Sequence, residues 1–197
     1  MKSCAVIIAG GQSSRMGREK ALEQVHGKII LDRIVAKLGT QADAIAINAN
    51  GDTGRFAKWR LPVITDVYCN IGTPLVGLHA ALSHAAGNNF DAVLTVPSDT
   101  PFLPADLMKR LRAASSLAAI ARSGGQSHYL TGLWSVTLLP EMEEALKQPR
   151  TPRLQDWCSI CNATLVEWPS VAFDPFFNVN THEDLAEAER IAARFEL

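Results

Sequence analysis

Residues 4–20 read CAVIIAGGQSSRMGREK: six apolar side chains in a row, then paired glycines, then three basic residues with a further glycine among them. A short apolar run rich in Val and Ile that stops at glycine is the pattern of a buried strand. Gly10 and Gly11 leave backbone N–H groups open to an approaching anion, and the first turn of a following helix would add its positive dipole end. Arg15, Arg18 and Lys20 supply charge, so a phosphate chain is the ligand class that this opening suggests, with Lys20 leaning over it. The bland alternative is an ordinary strand-to-helix turn with a solvated basic end. The spacing is neither a Walker A loop, since Gly11 and Gly17 are six apart and Lys20 follows three residues later, nor GxGxxG.

Outward from that strand, apolar runs at 44–49, 61–64 and 92–96 alternate with helical patterns near 30–39, 76–86 and 104–115. Parallel strands covered on both faces follow from this βαβα rhythm, hence a three-layer α/β/α sandwich. Residues 117–122 and 128–136, joined through GGQS, read as two strands that extend the parallel sheet with an antiparallel piece. Thr181 and Asp184 approximate a capping box for a final helix with Leu185, Ala188, Ile191, Ala192 and Phe195 on one stripe. No linker or repeat interrupts the chain, and residues 1–197 are expected to form one domain.

The 197 residues suffice to bury roughly 70% of the unfolded surface without staples. Nineteen basic residues against twenty acidic ones, scattered along the chain, give net −1 and argue against a nucleic-acid partner. No segment approaches the ~20 apolar residues of a membrane span, so the expectation is a cytoplasmic protein with no membrane partner. Cys4, Cys69, Cys158 and Cys161 include a single CxxC, and buried thiols are the default reading. His79 and His84, five apart, do not suit a metal pair on one helix face.

In an open α/β sheet ligands collect outside the carboxyl ends of the strands. The four leading strands run there into Gly10-Gly11, into Asn48 and Asn50, into Asp66, and into Ser98-Asp99. Each is also ordinary turn chemistry, and their coincidence on one edge is the stronger observation. Asp99, a lone carboxylate ending an apolar strand before two prolines, suits Mg²⁺, which takes one or two protein carboxylates and fills its shell with water and phosphate oxygens. Gly77, at the start of the second helix, admits close approach by a flat base or by another backbone. Asn178 and Asn180, beside the cap Thr181, either read a ring edge or hydrogen-bond the turn.

Taken together, the chain resembles the molybdenum cofactor guanylyltransferase family, Rossmann-like nucleotidyltransferases that join GMP to molybdopterin. The family's LAGGxSxRMGxDK appears as IAGGQSSRMGREK, its GPLAG as TPLVG, its CDxPFLPxDL as SDTPFLPADL and its NxNTPEDL as NVNTHEDL. The sequence departs from the pattern at Glu19, Thr73, Val76 and Ser98. The Ala-Gly-Gly opening is closer to the guanylyl branch than to the cytidylyl branch with its Ala-Ala-Gly. The resemblance implies that Ile8, Ala9 and Gly10 contact the guanine nucleotide and that Lys20 meets its phosphates. It further implies that Asn48 and Asp66 line the nucleotide site and that Asp99 holds Mg²⁺.

The implied substrates are GTP and molybdopterin, with Lys20, Arg15 and Asp99 as the catalytic set, and with molybdoenzymes or cofactor carriers as further partners. The amino-terminal half would bind the nucleotide and the carboxyl-terminal half mainly the acceptor. No side-chain nucleophile is needed, since a phosphate monoester with second pKa of about 6 is already largely dianionic at neutral pH. Arg150 and Arg153 either meet the acceptor's phosphate or form a solvated basic loop. Other readings are CMP transfer to molybdopterin, nucleotide transfer to a sugar phosphate, and a nucleotide-binding adaptor without catalysis.

Overall fold

Both faces of the first strand are apolar, a pattern that suits a sheet covered on each side. The computed structural model describes residues 1–10, 20–68, 72–115 and 117–197. In chain order its elements are β1 (Ser3–Ile8), β2 (Gln24–Val25), β3 (Lys28–Ile29), α1 (Ile30–Leu38), β4 (Ala44–Asn48), β5 (Val63–Ile64), α2 (Leu75–Gly87) and β6 (Ala92–Pro97). They continue with α3 (Leu107–Ala114), β7 (Ala118–Ser123), β8 (Gln126–Ser135), α4 (Leu139–Leu146), α5 (Leu154–Ile160), β9 (Thr164–Trp168) and α6 (His182–Phe195). Seven strands form one sheet in the order β5-β4-β1-β6-β8-β7-β9. β8 alone runs against its neighbours, so the expected mostly parallel sheet with an antiparallel part is observed.

The period of two along each strand builds two cores. Ala5 and Ile7 of β1, Leu94 and Val96 of β6, and Ala119 and Ala121 of β7 pack with α1, α3 and α6 on one face. Cys4, Val6, Val93, Ala118 and Ile120 pack with α2, α4 and α5 on the other. α1 buries Ile30, Leu31, Ile34 and Leu38, one stripe at helical spacing. α2 buries nine of its thirteen residues because it is wedged between the sheet and α4. The capping box of α6 is formed: the Thr181 hydroxyl accepts from Asp184 N at 3.1 Å, and Asp184 Oδ2 accepts from Thr181 N at 2.9 Å.

Boundaries differ from the sequence expectation where proline intervenes. β5 starts at Val63 rather than 61, because Pro62 has no N–H to give the ladder, and α3 starts at Leu107 rather than 104, because Pro101 and Pro104 hold the preceding chain in turns. The β7–β8 hairpin closes through Gly124 and Gly125, at φ 54° and 80°, a two-residue turn that matches strand twist. No pattern in the sequence announces the β2–β3 ribbon, α4, α5 or β9. β2 and β3 have two residues each and α5 only seven, too few to display a period. Parallel pairing brings the carboxyl ends of β4, β1, β6 and β5 to one edge.

Candidate active site

That edge holds two polar groups of different character. In the first, Asn48, fully buried at the end of β4, donates from Nδ2 to Asp66 Oδ1 at 2.8 Å and to Ile64 O at 3.3 Å. Asn50 donates to Asp66 Oδ2 at 2.7 Å and accepts from Asp66 N at 3.0 Å. The two amides thus fix the Asp66 carboxylate after β5. Gly10, just beyond β1, adjoins this group: a Cβ there would lie 3.6 Å from both Asn48 Oδ1 and Asn50 Nδ2.

In the second group, Asp99 follows β6 with Oδ1 buried and, among the described residues, without a hydrogen-bond partner. Its backbone carbonyl accepts from Val179 N at 2.9 Å. Burial pushes its pKa up, more strongly than the positive charge of Lys20 pulls it down, and Asp184 adds to the upward push. Lys20 Nζ donates to Asn180 Oδ1 at 2.7 Å, a tie across 160 positions of sequence, while Asn180 N donates to Asp184 Oδ2 at 2.9 Å. A buried carboxylate oxygen lacking a donor is what a hard divalent cation would satisfy, and one carboxylate is a usual protein share for Mg²⁺. Among the described residues no three His, Cys, Asp or Glu side chains converge on a metal position, so the fit is to a cation that keeps water or substrate oxygens as its remaining ligands.

The structure therefore brings Gly10, Asn48 and Asp66 together, and gathers Asp99, Lys20 and Asn180. Ile8 ends β1 and Ala9 follows it; Ala9 N donates to Asn48 O at 2.8 Å and Ser98 N donates to Ile8 O at 3.1 Å. Gly11, Arg15 and Cys69 lie outside the described residues. Asn178 is exposed, one residue from the Val179–Asp99 contact. Asn180 grips Lys20, a partner the turn chemistry did not announce. Asp184 was legible only as a helix cap, yet the same carboxylate oxygen orders Asn180. Arg150 and Arg153 are both exposed on the loop before α5.

A family model for the MobA-like NTP transferase domain matches residues 5–160. The chain belongs to that family. A molybdenum cofactor guanylyltransferase from Nitrobacter hamburgensis is 43% identical over 195 residues, covering 95% of this chain and 93% of its own. One from Rhodobacter capsulatus is 43% identical over 192 residues, 96% of each. The solved molybdopterin-guanine dinucleotide biosynthesis protein A from Archaeoglobus fulgidus superposes with a TM-score of 0.72 over 98% of this chain and 99% of its own, at 23% identity, a likeness of fold. Within the family pattern, the departures at Thr73 and Val76 are absorbed locally. Val76 is buried in the α2-side core, and Thr73 Oγ1 accepts from Leu75 N at 3.4 Å at the helix start. No helix among the described residues is long and apolar enough to cross a membrane.

Gly77 is buried, and the space its missing Cβ leaves is taken by protein: a Cβ would sit 2.9 Å from Asn48 Oδ1 and 3.1 Å from Ile8 Cγ2. Its service to the site is thus to let Asn48 and Ile8 fit beneath α2. Gly77→Ala should lower stability by about 1–3 kcal/mol through overpacking against Asn48 and Ile8. Gly87→Ala at the exposed end of the same helix, with nothing within 4 Å of the added Cβ, should hold or raise stability. Denaturant unfolding of both variants checks the opposite signs. The other candidate groups are inert by comparison. The thiols of Cys4, Cys158 and Cys161 are buried, which raises their pKa to about 11, about 12 and about 11. His79 is buried, its Nδ1 has no partner among the described residues, and burial pushes its pKa down, so it is held as a neutral ring.

Proposed function

We propose that this protein transfers GMP from Mg-GTP to the terminal phosphate of molybdopterin, with residues 1–197 acting as one domain. A phosphate oxygen of the acceptor bonds to the α-phosphorus of GTP, the bond from that phosphorus to the α–β bridging oxygen breaks, and pyrophosphate leaves with the electron pair. What supports the reading is the Asp99 carboxylate oxygen, buried without a partner in the same cluster as Lys20, in a chain whose guanylyltransferase relatives match it nearly end to end.

The central obstacle is repulsion between two anions, about 4 kcal/mol for unit charges ~4 Å apart at an effective dielectric near 20. Asp99 would hold the cation, for which we take Mg²⁺, and the bound ion would neutralise charge on the phosphate oxygens. Lys20, fixed by Asn180, offers its remaining ammonium protons to the triphosphate. Gly10 and Gly11 supply backbone amides, and Arg15 supplies further charge. Ile8, Ala9, Asn48 and Asp66, with Gly77 behind them, shape the nucleoside end. Asn178 and Asn180 face the acceptor half. Molybdoenzymes or carriers that take the product are partners in this reading.

Pyrophosphate release in the presence of Mg²⁺ and molybdopterin, with GTP, CTP and ATP supplied separately, tests it. Release with GTP alone is expected. Release with CTP instead would assign a cytidylyltransferase, and nucleotide binding with no release from any of the three would favour an adaptor.

A further inference from the structure

Ser123, His128 and Asp174 meet at the carboxyl end of β7, although their sequence spacing does not announce it. Ser123 is 1% exposed. Its hydroxyl donates to Asp174 Oδ1 at 2.7 Å and lies 2.7 Å from His128 Nε2. A hydroxyl has one proton, and a carboxylate has none to give. With that proton committed to Asp174, Ser123 Oγ must accept from the ring, which fixes His128 as the Nε2–H tautomer. The wiring is opposite to that of a hydrolytic triad, in which the carboxylate orients the imidazole and the imidazole takes the serine proton. Ser123 is therefore no nucleophile, and the set must do something else.

What it does is hold one stretch of chain. Asp174 Oδ1 also accepts from Phe176 N at 2.9 Å, and the Phe176 ring, 1% exposed, lies between His128 at 4.8 Å and Trp168 at 5.4 Å, centroid to centroid. Three residues on, Val179 N donates to the carbonyl of Asp99, and Asn180 takes the ammonium of Lys20. The segment 174–180 is thus anchored at one end by the serine–histidine pair and at the other touches the backbone carbonyl of Asp99 and the ammonium of Lys20.

We propose that Ser123, His128 and Asp174 are positioning residues for nucleotidyl transfer, fixing residues 174–180 so that Asp99 and Lys20 stay in register with each other. The inference rests on the reading of Asp99 and Lys20 given above. Burial lowers the His128 pKa against the opposing pull of Asp174 and Glu167, which keeps the ring neutral as this arrangement requires.

The test compares Ser123→Ala and His128→Met, which remove the hydroxyl and the ring donor, with His128→Gln, whose amide can still donate to Ser123. In the first two, turnover at saturating acceptor should fall about tenfold while Mg-GTP affinity stays within about twofold of the wild type. His128→Gln should recover most of the loss, an outcome that mere filling of space by Met would not give. Proton–nitrogen NMR of the ligand-free protein supplies an arm that needs no substrate. The His128 ring should show the Nε2–H tautomer, and the Val179 amide and Asn180 side-chain resonances should move in Ser123→Ala and His128→Met but not in His128→Gln. Unmoved resonances, or Gln performing no better than Met, would overturn the proposal. Wild-type protein that releases no pyrophosphate from GTP would instead overturn the assigned reaction, leaving the NMR arm to decide the positioning role.

Discussion

Asp99→Asn is expected to lower turnover roughly a thousandfold, several kcal/mol of metal-dependent stabilisation at about 1.4 kcal/mol per tenfold, and at the same time to raise the melting temperature of the metal-free protein. The second half of this expectation comes from burial. Oδ1 of Asp99 has no donor among the described residues, and desolvation outweighs the attraction of Lys20, so the carboxyl pKa is raised above its usual 3.8. The folded chain then holds that proton more tightly than the unfolded chain does. Stability contributed by the protonated group is fully present below the unfolded value and is lost as pH rises through the folded one. At pH 7 the raised pKa is a cost of folding, which the neutral, nearly isosteric amide removes. The difference in melting temperature between variant and wild type should therefore shrink as pH is lowered toward 3.8. Mg²⁺ should stabilise the wild type by mass action and leave Asp99→Asn unmoved. Calorimetry with and without Mg²⁺ at two pH values checks all of this. A variant that melts below the wild type in metal-free buffer would mean that Asp99 is a structural acceptor and not an empty ligand.

The same residue shows why part of the site could be read from sequence and part could not. Asp99, Asp66, Asn48 and Gly10 stand at strand ends, and in a parallel sheet all strand ends meet on one edge, so local pattern and fold class together place them. That placement needs only the apolar runs of β1, β4, β5 and β6, written in Val, Ile, Leu and Ala. Asn180 is different. Its contact with Lys20 joins positions 160 residues apart, and no periodicity encodes it. Ser123, His128 and Asp174 were silent for a related reason. They come from β7, β8 and the loop before α6, and the hairpin that brings the first two together carries a register shift between Ile120 and Ala121 that no strand pattern reveals. In the second half the short elements β9 and α5 lack the length to declare a period, and tertiary packing defines them.

Lys20→Ala should weaken Mg-GTP binding about 10- to 100-fold, the value of a charge-assisted hydrogen bond of about 1.5–3 kcal/mol, and should also slow transfer. Two effects combine in this substitution. The ammonium proposed to meet the triphosphate is lost, and so is the charge that draws the Asp99 pKa down, which leaves that carboxylate a poorer metal ligand as pH falls. Asn180→Ala separates the two. It keeps the charge of Lys20 but releases its Nζ from the 2.7 Å contact that aims it. Free ammonium near the phosphates still attracts the nucleotide, so affinity should change by no more than about threefold, whereas turnover, which depends on alignment, should fall about tenfold or more. Lys20→Arg should rescue only partly, because the guanidinium keeps the charge but presents a planar fork where one ammonium proton is committed to Asn180 and the others are free to turn. Titration of Mg-GTP by calorimetry, set beside single-turnover pyrophosphate release, resolves the three variants. If Lys20→Ala bound Mg-GTP as tightly as the wild type, the lysine would be only a tether to Asn180, and the electrostatic work would fall to the loop amides and the cation at Asp99.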